Sequence, residues 1–248
     1  MSQVQASADA AAAELAPNGV LRAAINLGNF LLVTGRAANG DPEGVAPDLA
    51  AEIAARLGVA VRYAPFARPS ALADAADDGV WDIGLIGAEP ARAEKIAFTA
   101  AYAEIEAAYL VQPGSPLARF EDVDRPGVRI AVLARSAYDL WLERNIRQAA
   151  LLRSETADGA ARLFADGEAD VLAGLRPGLL TEADRHPGAR ILEGKFTAVQ
   201  QAVGTQRRNA AGAAFLQTFV EDAKASGLVQ RLIDRHGMTG RLSVAPSA

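Results

Sequence analysis

Residues 81–92 read WDIGLIGAEPAR, and the fold we predict is arranged around this stretch. Ile83, Leu85 and Ile86 are apolar and favour β-structure, whereas Gly84 weakens a strand or lets another backbone approach it closely. Pro90 is typical of the first residue of a helix. The stretch therefore predicts a buried strand, a turn of small residues and a helix start.

Arg92 lies in the first turn of that predicted helix, where backbone amides and the helix dipole favour an anion. A guanidinium can hold both oxygens of a carboxylate at once. We therefore predict a carboxylate site made by Arg92 and the main chain of Gly87 and Ala88. The alternative is a solvated helix arginine, since only three of the 25 basic residues are lysines and arginine alone means little.

The composition excludes several classes of function. The chain has 248 residues, half of them apolar, which is enough for one large or two small domains. A net charge of −5 argues against nucleic acid and anionic membranes as partners. Cysteine is absent, and we interpret His186 and His236 as helix C-terminal residues rather than as a metal site or a Ser–His triad. We predict no metal, no cofactor and no catalytic residue.

Strand and helix patterns alternate on both sides of the opening stretch. Strands at 21–25 and 59–63 and helices at 47–57 and 70–77 precede it, and the pattern restarts at 128–133. The order β-α-β-α-β, found twice, is typical of parallel sheets covered by helices. Ligands of such sheets bind beyond the carboxyl ends of the strands. Asn26 and Asn29 follow the first strand and either contact a ligand or cap the turn.

The domain boundaries follow from the turn residues Gln-Pro-Gly-Ser-Pro at 112–116 and from an extended run at 197–205. We predict a flexible tail over residues 1–19, a first lobe over 20–111 and 200–248, and a second lobe over 112–199. The ligand cleft would lie between the lobes, with hinges near Val111 and Val199. No segment approaches the length of a membrane helix, and residues 1–18 lack the basic and leucine-rich regions of a signal peptide.

Five short motifs occur in the order of one known family. They are GVAPDL at 44–49, WDI at 81–83 with EPAR at 89–92, FTAAY at 98–102, Arg135-Ser136 at a helix start, and Ala169-Asp170-Val171 in a strand. With these motifs the chain resembles the type II periplasmic solute-binding proteins of amino-acid ABC transporters, bacterial extracellular solute-binding family 3, over about residues 21–237.

The resemblance implies an α/β fold of two lobes, each a mostly parallel sheet flanked by helices, joined by two hinge crossings. It implies a monomeric binding protein, not an enzyme, that clamps a small carboxylate and delivers it to an ABC permease. Arg92 matches the arginine that grips the carboxylate, and Ser136 matches the helix-start residue of the other lobe, where a plain N-cap is the competing role. The family implies a periplasmic location, while the missing signal peptide keeps a cytoplasmic one open.

The departures from the family bear on the ligand. Amino-acid binders pair the ligand ammonium with an aspartate where this chain has Gly174 and Leu175, followed by Arg176. A buried ammonium without a partner costs several kcal/mol. We therefore expect an atypical ammonium site, unless Glu104 or Glu106 supplies the charge.

The remaining candidate ligand residues are Tyr138 and Gln200, the latter beside Gln201 on the return crossing. Two alternatives stay open. One is an enzyme on the same scaffold, similar to cyclohexadienyl or arogenate dehydratases, with Glu104 or Glu106 as general acid. The other is a cytoplasmic solute sensor or scavenger.

Overall fold

The computed structural model describes residues 3–247, with side chains described from residue 8 onward. Its helices are α1 (Gln3–Leu15), α2 (Val45–Leu57), α3 (Pro69–Asp74), α4 (Pro90–Ala93), α5 (Ala137–Asn145), α6 (Ala157–Ala165), α7 (Arg176–Arg185), α8 (Ala210–Ala225) and α9 (Leu228–Arg235).

The strands alternate with these helices along the chain. They are β1 (Val20–Asn26), β2 (Gly35–Arg36), β3 (Pro42–Glu43), β4 (Ala60–Phe66), β5 (Ile83–Gly87), β6 (Ile96–Val111), β7 (Arg129–Leu133), β8 (Ala150–Ser154), β9 (Val171–Leu175), β10 (Arg190–Ile191), β11 (Thr197–Gln206) and β12 (Ser243–Val244).

The chain divides into two compact units. Unit 1 comprises Met1–Glu104 and Gln200–Ala248, and unit 2 comprises Ile105–Val199. The first crossing thus falls within β6, earlier than the position near Val111 suggested by the sequence. Strand β6 is continuous from Ile96 to Val111 and passes through this boundary without a turn. Among the described helices, none combines the length and the apolar character needed to cross a bilayer.

The sheet of unit 1 has the strand order β4-β1-β5-β11. Strand β1 runs parallel to both β4 and β5, whereas β11 is antiparallel to β5. The residues of β5 are all buried, which explains its near-continuous apolar sequence. Helix α2 buries Leu49 and Ile53 on one stripe and ends at Gly58, whose left-handed backbone closes the helix.

From residue 3 onward the amino-terminal segment is not the flexible tail that we expected, and residues 1 and 2 lie outside the described part of the chain. Residues 3–15 form α1, in which Ala11 and Leu15 are buried. The carboxylate of Glu14 accepts a 2.8 Å hydrogen bond from the amide of Gly212 in α8. Leu15 lies directly over Gly212, where a side chain would collide with it. The alanine-rich sequence that suggested fraying instead provides a small-residue face that packs closely on α8.

Unit 2 repeats the parallel arrangement with β8-β7-β9, and β6 and then β10 add antiparallel strands beyond β9. Tyr109, Ile130, Val132 and Val171 form part of its core. The ring of Tyr109 stacks on Phe196 with 4.5 Å between ring centroids. Burial of Tyr109 raises the pKa of its hydroxyl, so this group is neutral in the core.

The two units share one structural feature at the amino-terminal edge of their sheets. In unit 1 the carboxylate of Asp82 accepts hydrogen bonds from the backbone amide, Nε and Nη2 of Arg22, at 2.8, 3.0 and 2.6 Å. In unit 2 the carboxylate of Asp170 accepts the same three bonds from Arg129, at 2.8, 3.1 and 2.9 Å. We call these the Arg22–Asp82 corner and the Arg129–Asp170 corner. Each one fixes the start of a central strand to its neighbour.

Candidate ligand-binding site

The strand, turn and helix predicted around Arg92 are present, and the helix is a single turn. Strand β5 ends at Gly87, Glu89 is extended and acts as the N-cap, and α4 spans only Pro90–Ala93. A single turn aligns few peptide dipoles, so it contributes little field of its own. The expected help from a helix dipole is therefore small, and the guanidinium of Arg92 is the main positive charge of this turn.

Arg92 is buried, with 6% of the residue exposed. Its Nη1 donates a 2.7 Å hydrogen bond to the carbonyl of Gly87, and its backbone amide donates to the carbonyl of Glu89. The interpretation of Arg92 as a solvated helix arginine is therefore wrong. The side chain folds back over the turn, and the Gly87 carbonyl fixes the orientation of its guanidinium.

The main chain of the turn is less available than the sequence suggested. The amide of Ala88 donates a 2.7 Å hydrogen bond to the carbonyl of Gln200, and Gly87 pairs in register with Gln201. Strand β11 thus continues its pairing past the end of β5 and occupies the Ala88 amide. The prediction that this amide holds a ligand is wrong for that reason.

Asn26 and Asn29 cap the turn that follows β1. The side-chain oxygen of Asn26 accepts from the amide of Gly28 at 3.1 Å, and that of Asn29 accepts from the amide of Leu31 at 3.2 Å. Of the two roles left open by the sequence, the structure assigns the turn-capping role to these oxygens. A ligand contact by either side chain remains a prediction.

Phe30 is a residue of this edge that sequence reasoning did not nominate. It directly follows Asn29 and is 49% exposed. Because β1 and β5 are parallel, their carboxyl ends share one edge of the sheet. The sequence feature that could have identified Phe30 is its position: an aromatic residue just beyond a strand end, among amide residues typical of a ligand-facing loop.

Gln200 and Glu104 are two further polar residues of unit 1, and a hydrogen bond joins their side chains. Nε2 of Gln200 donates to Oε1 of Glu104 at 2.9 Å, while Gln201 is buried. Since the Gln200 carbonyl also accepts from Ala88, the start of β11 connects Glu104 to the turn that carries Arg92. The structure thus brings Gly87, Ala88, Arg92 and Gln200 together.

In unit 2, Ser136 is the N-cap of α5. It is buried, and its Oγ accepts a 3.1 Å hydrogen bond from the amide of Asp139. The residue before it, Arg135, has φ of 56° and is the one non-glycine residue with a left-handed backbone in the described part of the chain. Such strain costs roughly 1–3 kcal/mol and concentrates at functional sites. The strained backbone of Arg135 therefore points to the segment after β7 as a candidate functional segment. The ligand role of Ser136 itself stays a prediction.

Tyr138 is the second residue of α5 and is half-buried. It packs against Ala107, Val199 and Phe196. Burial raises the pKa of Tyr138 to about 12, and a hydrogen bond with the side chain of Ser136 acts in the opposite direction. The hydroxyl is therefore protonated at neutral pH and can donate a hydrogen bond.

Glu106 pairs with cations of its own unit. Its carboxylate lies 2.8 Å from Nε of Arg176 and 3.5 Å from Nζ of Lys195. Arg176, the first residue of α7, also donates to the carbonyl of Gly194. The acid that could have faced a ligand ammonium is thus already held by two basic side chains.

The two histidines end helices, which confirms their interpretation from the sequence. His186 is the C-cap of α7 and His236 is the C-cap of α9. Nε2 of His236 lies 2.8 Å from the carboxylate of Asp48, so this ring links the end of α9 to α2.

The architecture is that of the periplasmic-binding-protein type II class: mixed α/β, with sheet order and helix placement repeated in each unit. The sequence profile of the bacterial extracellular solute-binding proteins, family 3, matches residues 30–239. The chain belongs to this family. A comparison with curated protein sequences gives no match.

Solved structures agree with this assignment. A mutant of an arginine-binding protein from T. maritima is 20% identical with a TM-score of 0.72, over 92% of this chain and 99% of that one. A putative ABC-transporter binding component from Wolinella succinogenes, complexed with lysine, is 19% identical with a TM-score of 0.73, over 88% and 95%. An ancestral amino acid-binding protein, a precursor of cyclohexadienyl dehydratase, is 21% identical with a TM-score of 0.71, over 90% and 97%. At these identities the likeness shows the fold.

Proposed function

We propose that this chain is the substrate-binding protein of an ABC-type transporter and that Arg92 holds the carboxylate of its small organic ligand. The observation that carries the proposal is the buried Arg92 guanidinium, oriented by the Gly87 carbonyl at the carboxyl end of β5. A fixed, desolvated guanidinium gains more from an anion than a solvated one does, because water screens the charge less. Family membership gives this geometry its context.

We further propose that the ligand does not require an α-ammonium group. The family places an aspartate for that group where this chain has Gly174 and Leu175, and the next residue, Arg176, pairs with Glu106. Glu104, the other acid nominated for this role, accepts from Gln200. Binding an amino acid would therefore cost the free energy of desolvating its ammonium group, with no dedicated partner to offset it. A keto acid or an aromatic acid avoids that cost, and Phe30 offers such a ligand an exposed apolar ring.

Isothermal titration calorimetry with matched amino, keto and aromatic acids tests both statements. We expect saturable binding of at least one acid, with the keto or aromatic acid at least as tight as the amino acid of similar size. Arg92→Ala should abolish binding, and Arg92→Lys should weaken it, since lysine keeps the charge but loses the paired donors. Arg36→Ala is the matched control: Arg36 is exposed and likewise donates to a nearby carbonyl, that of Gly40.

The results that oppose the proposal are specific. Binding that survives Arg92→Ala removes the role of Arg92, whereas tight binding restricted to α-amino acids removes the proposed ligand class. Because loss of the bond to Gly87 can lower stability, the melting temperature of each variant should be measured alongside, and Arg92→Lys serves as the less disruptive substitution.

The proposal includes a binding role rather than catalysis, and a periplasmic location. One structural neighbour is a precursor of cyclohexadienyl dehydratase, so turnover of prephenate and arogenate should be assayed; we expect none. Glu104 and Glu106, the acids nominated for such a reaction, are both engaged by neighbouring side chains.

Fractionation of the native host distinguishes transport from a cytoplasmic sensor or scavenger, since a gene product that stays in the cytosol cannot serve an ABC importer.

A further inference from the structure

A cavity of about 380 Å³ opens at the amino-terminal edge of the unit 1 sheet. This edge is opposite the one that carries Arg92, because β1, β4 and β5 are parallel and Arg92 follows the carboxyl end of β5. The volume is in the range of small-molecule pockets. Its lining consists of Pro17, Asn18, Val20, Arg22, Arg62 and Asp82.

Two arginines lie side by side in this cavity. Arg22 of β1 and Arg62 of β4 are register partners in neighbouring strands, so their side chains leave the same face of the sheet. Like charges placed directly opposite each other destabilise a sheet unless something compensates them. Asp82 neutralises Arg22 through the three hydrogen bonds of the Arg22–Asp82 corner.

Arg62 has no such compensation. It is exposed and makes no hydrogen bond or ion pair with any residue in the described part of the chain. Arg22, Arg62 and Asp82 together leave the cavity with one net positive charge. Arg22 donates Nε–H and one N–H of Nη2 to the carboxylate of Asp82, and one N–H of Nη1 to the carbonyl of Gly79. Of the five N–H groups of a guanidinium, Arg22 therefore keeps two for another acceptor.

Unit 2 shows that the corner itself does not require a second arginine. The Arg129–Asp170 corner has the same three bonds to its carboxylate, and Arg129 also donates to the carbonyl of Gly167. The register partner of Arg129 on β8 is Ala150, at the position that Arg62 occupies on β4. The corner thus forms equally well beside an alanine. Arg62 adds positive charge and donors without being needed to hold the strands together.

We propose that this cavity is a second ligand site, which binds a small organic monoanion with an apolar body, such as an aromatic carboxylate. Arg62 and the two remaining N–H groups of Arg22 hold the carboxylate. Pro17 and Val20, which are apolar and line the cavity, contact the body of the molecule. The site is independent of Arg92 and does not rest on the proposed transport function.

Titration of ¹⁵N-labelled protein with benzoate, followed by amide NMR shifts, tests the proposal. We expect saturable shifts at Val20 and Arg62, and Arg62→Ala should weaken the binding at least about tenfold, the cost of losing a charged hydrogen-bonding partner. Arg241→Ala removes the same charge from an exposed arginine outside the cavity and should leave the affinity unchanged. Arg92→Ala should also leave these shifts unchanged, which separates this site from the proposed transport ligand.

Three results would overturn the proposal. The first is that benzoate produces no saturable shift at Val20 and Arg62. The second is that Arg62→Ala binds benzoate as tightly as the unsubstituted protein does. The third is that inorganic phosphate binds as tightly as benzoate. The last result would mean that Pro17 and Val20 contribute nothing and that the class of ligand is wrong. Arg62→Met, which keeps the stem of the side chain on β4, repeats the test if Arg62→Ala unfolds.

Discussion

The substitution Asp82→Asn tests how the burial of an ion pair governs its contribution to stability. The side chain of Asp82 is 8% exposed, and its carboxylate accepts three hydrogen bonds from Arg22, whose side chain is 30% exposed. Asparagine keeps one acceptor oxygen but turns an NH₂ group toward the N–H groups of Arg22. Removing one partner of a buried pair costs about 3–5 kcal/mol. Because water reaches Arg22, we expect about 2–3 kcal/mol, a fall in melting temperature of roughly 4–12 °C.

The Arg129–Asp170 corner provides the matched comparison, since its hydrogen bonds are the same and its exposure differs. The side chain of Asp170 is 38% exposed and that of Arg129 is 43% exposed, so solvent screens the pair. Asp170→Asn should therefore lower the melting temperature by less than half as much as Asp82→Asn. Differential scanning calorimetry measures both, with the exposed Asp78→Asn as a control that should change little. Equal losses for the two corners, or a larger loss for Asp170→Asn, would refute the argument from burial.

Three further predictions concern other parts of the chain. Leu15→Ala should lower the free energy of unfolding, measured by urea denaturation, by about 2–5 kcal/mol, because Leu15 is fully buried. A loss near zero would support the flexible tail that the sequence suggested. Gly44→Ala should cost about 3 kcal/mol or more, since Gly44 has φ of 148° and an added Cβ would lie 2.3 Å from the carbonyl oxygen of Leu32; a melting temperature close to that of the original protein would contradict this. Hydrogen bonding by Arg129 lowers the pKa of Asp170, so its stabilisation is present above the ordinary carboxyl pKa of about 4 and is lost as the pH falls through the depressed value. The melting temperature of Asp170→Asn should therefore decline less in acid than that of the original chain, and parallel declines would count against it.

Much of the fold followed from local sequence patterns. The two β-α-β-α-β segments were predictable because parallel strands buried on both faces are continuously apolar and the intervening helices carry one apolar stripe. The end of α2 at Gly58 followed from the need for a left-handed residue there. These features depend on neighbours along the chain, which the sequence displays directly.

The features that were mispredicted depend on distant partners. Docking of α1 depends on Gly212, nearly two hundred residues away, so an alanine-rich helix could not be distinguished from a frayed one. The Ala88 amide is occupied by Gln200, through the pairing of β11 with β5, and no local pattern shows that pairing.

The candidate site was only partly predictable for the same reason. Arg92 could be singled out by the strand, turn and proline before it, but its bond to the Gly87 carbonyl depends on how the side chain folds back. The left-handed backbone of Arg135 could not be predicted from the sequence, because arginine has no preference for that conformation. The capping roles of Asn26 and Asn29 were foreseen as one of two alternatives, and the structure provides the bonds.

A crystal structure of the protein with the tightest acid from the calorimetric panel tests the role of Arg92 most directly. The account predicts a ligand carboxylate with both oxygens about 2.7–2.9 Å from guanidinium nitrogens of Arg92, with the bond to the Gly87 carbonyl retained. A ligand bound elsewhere, with no carboxylate oxygen in hydrogen-bonding contact with Arg92, would contradict it.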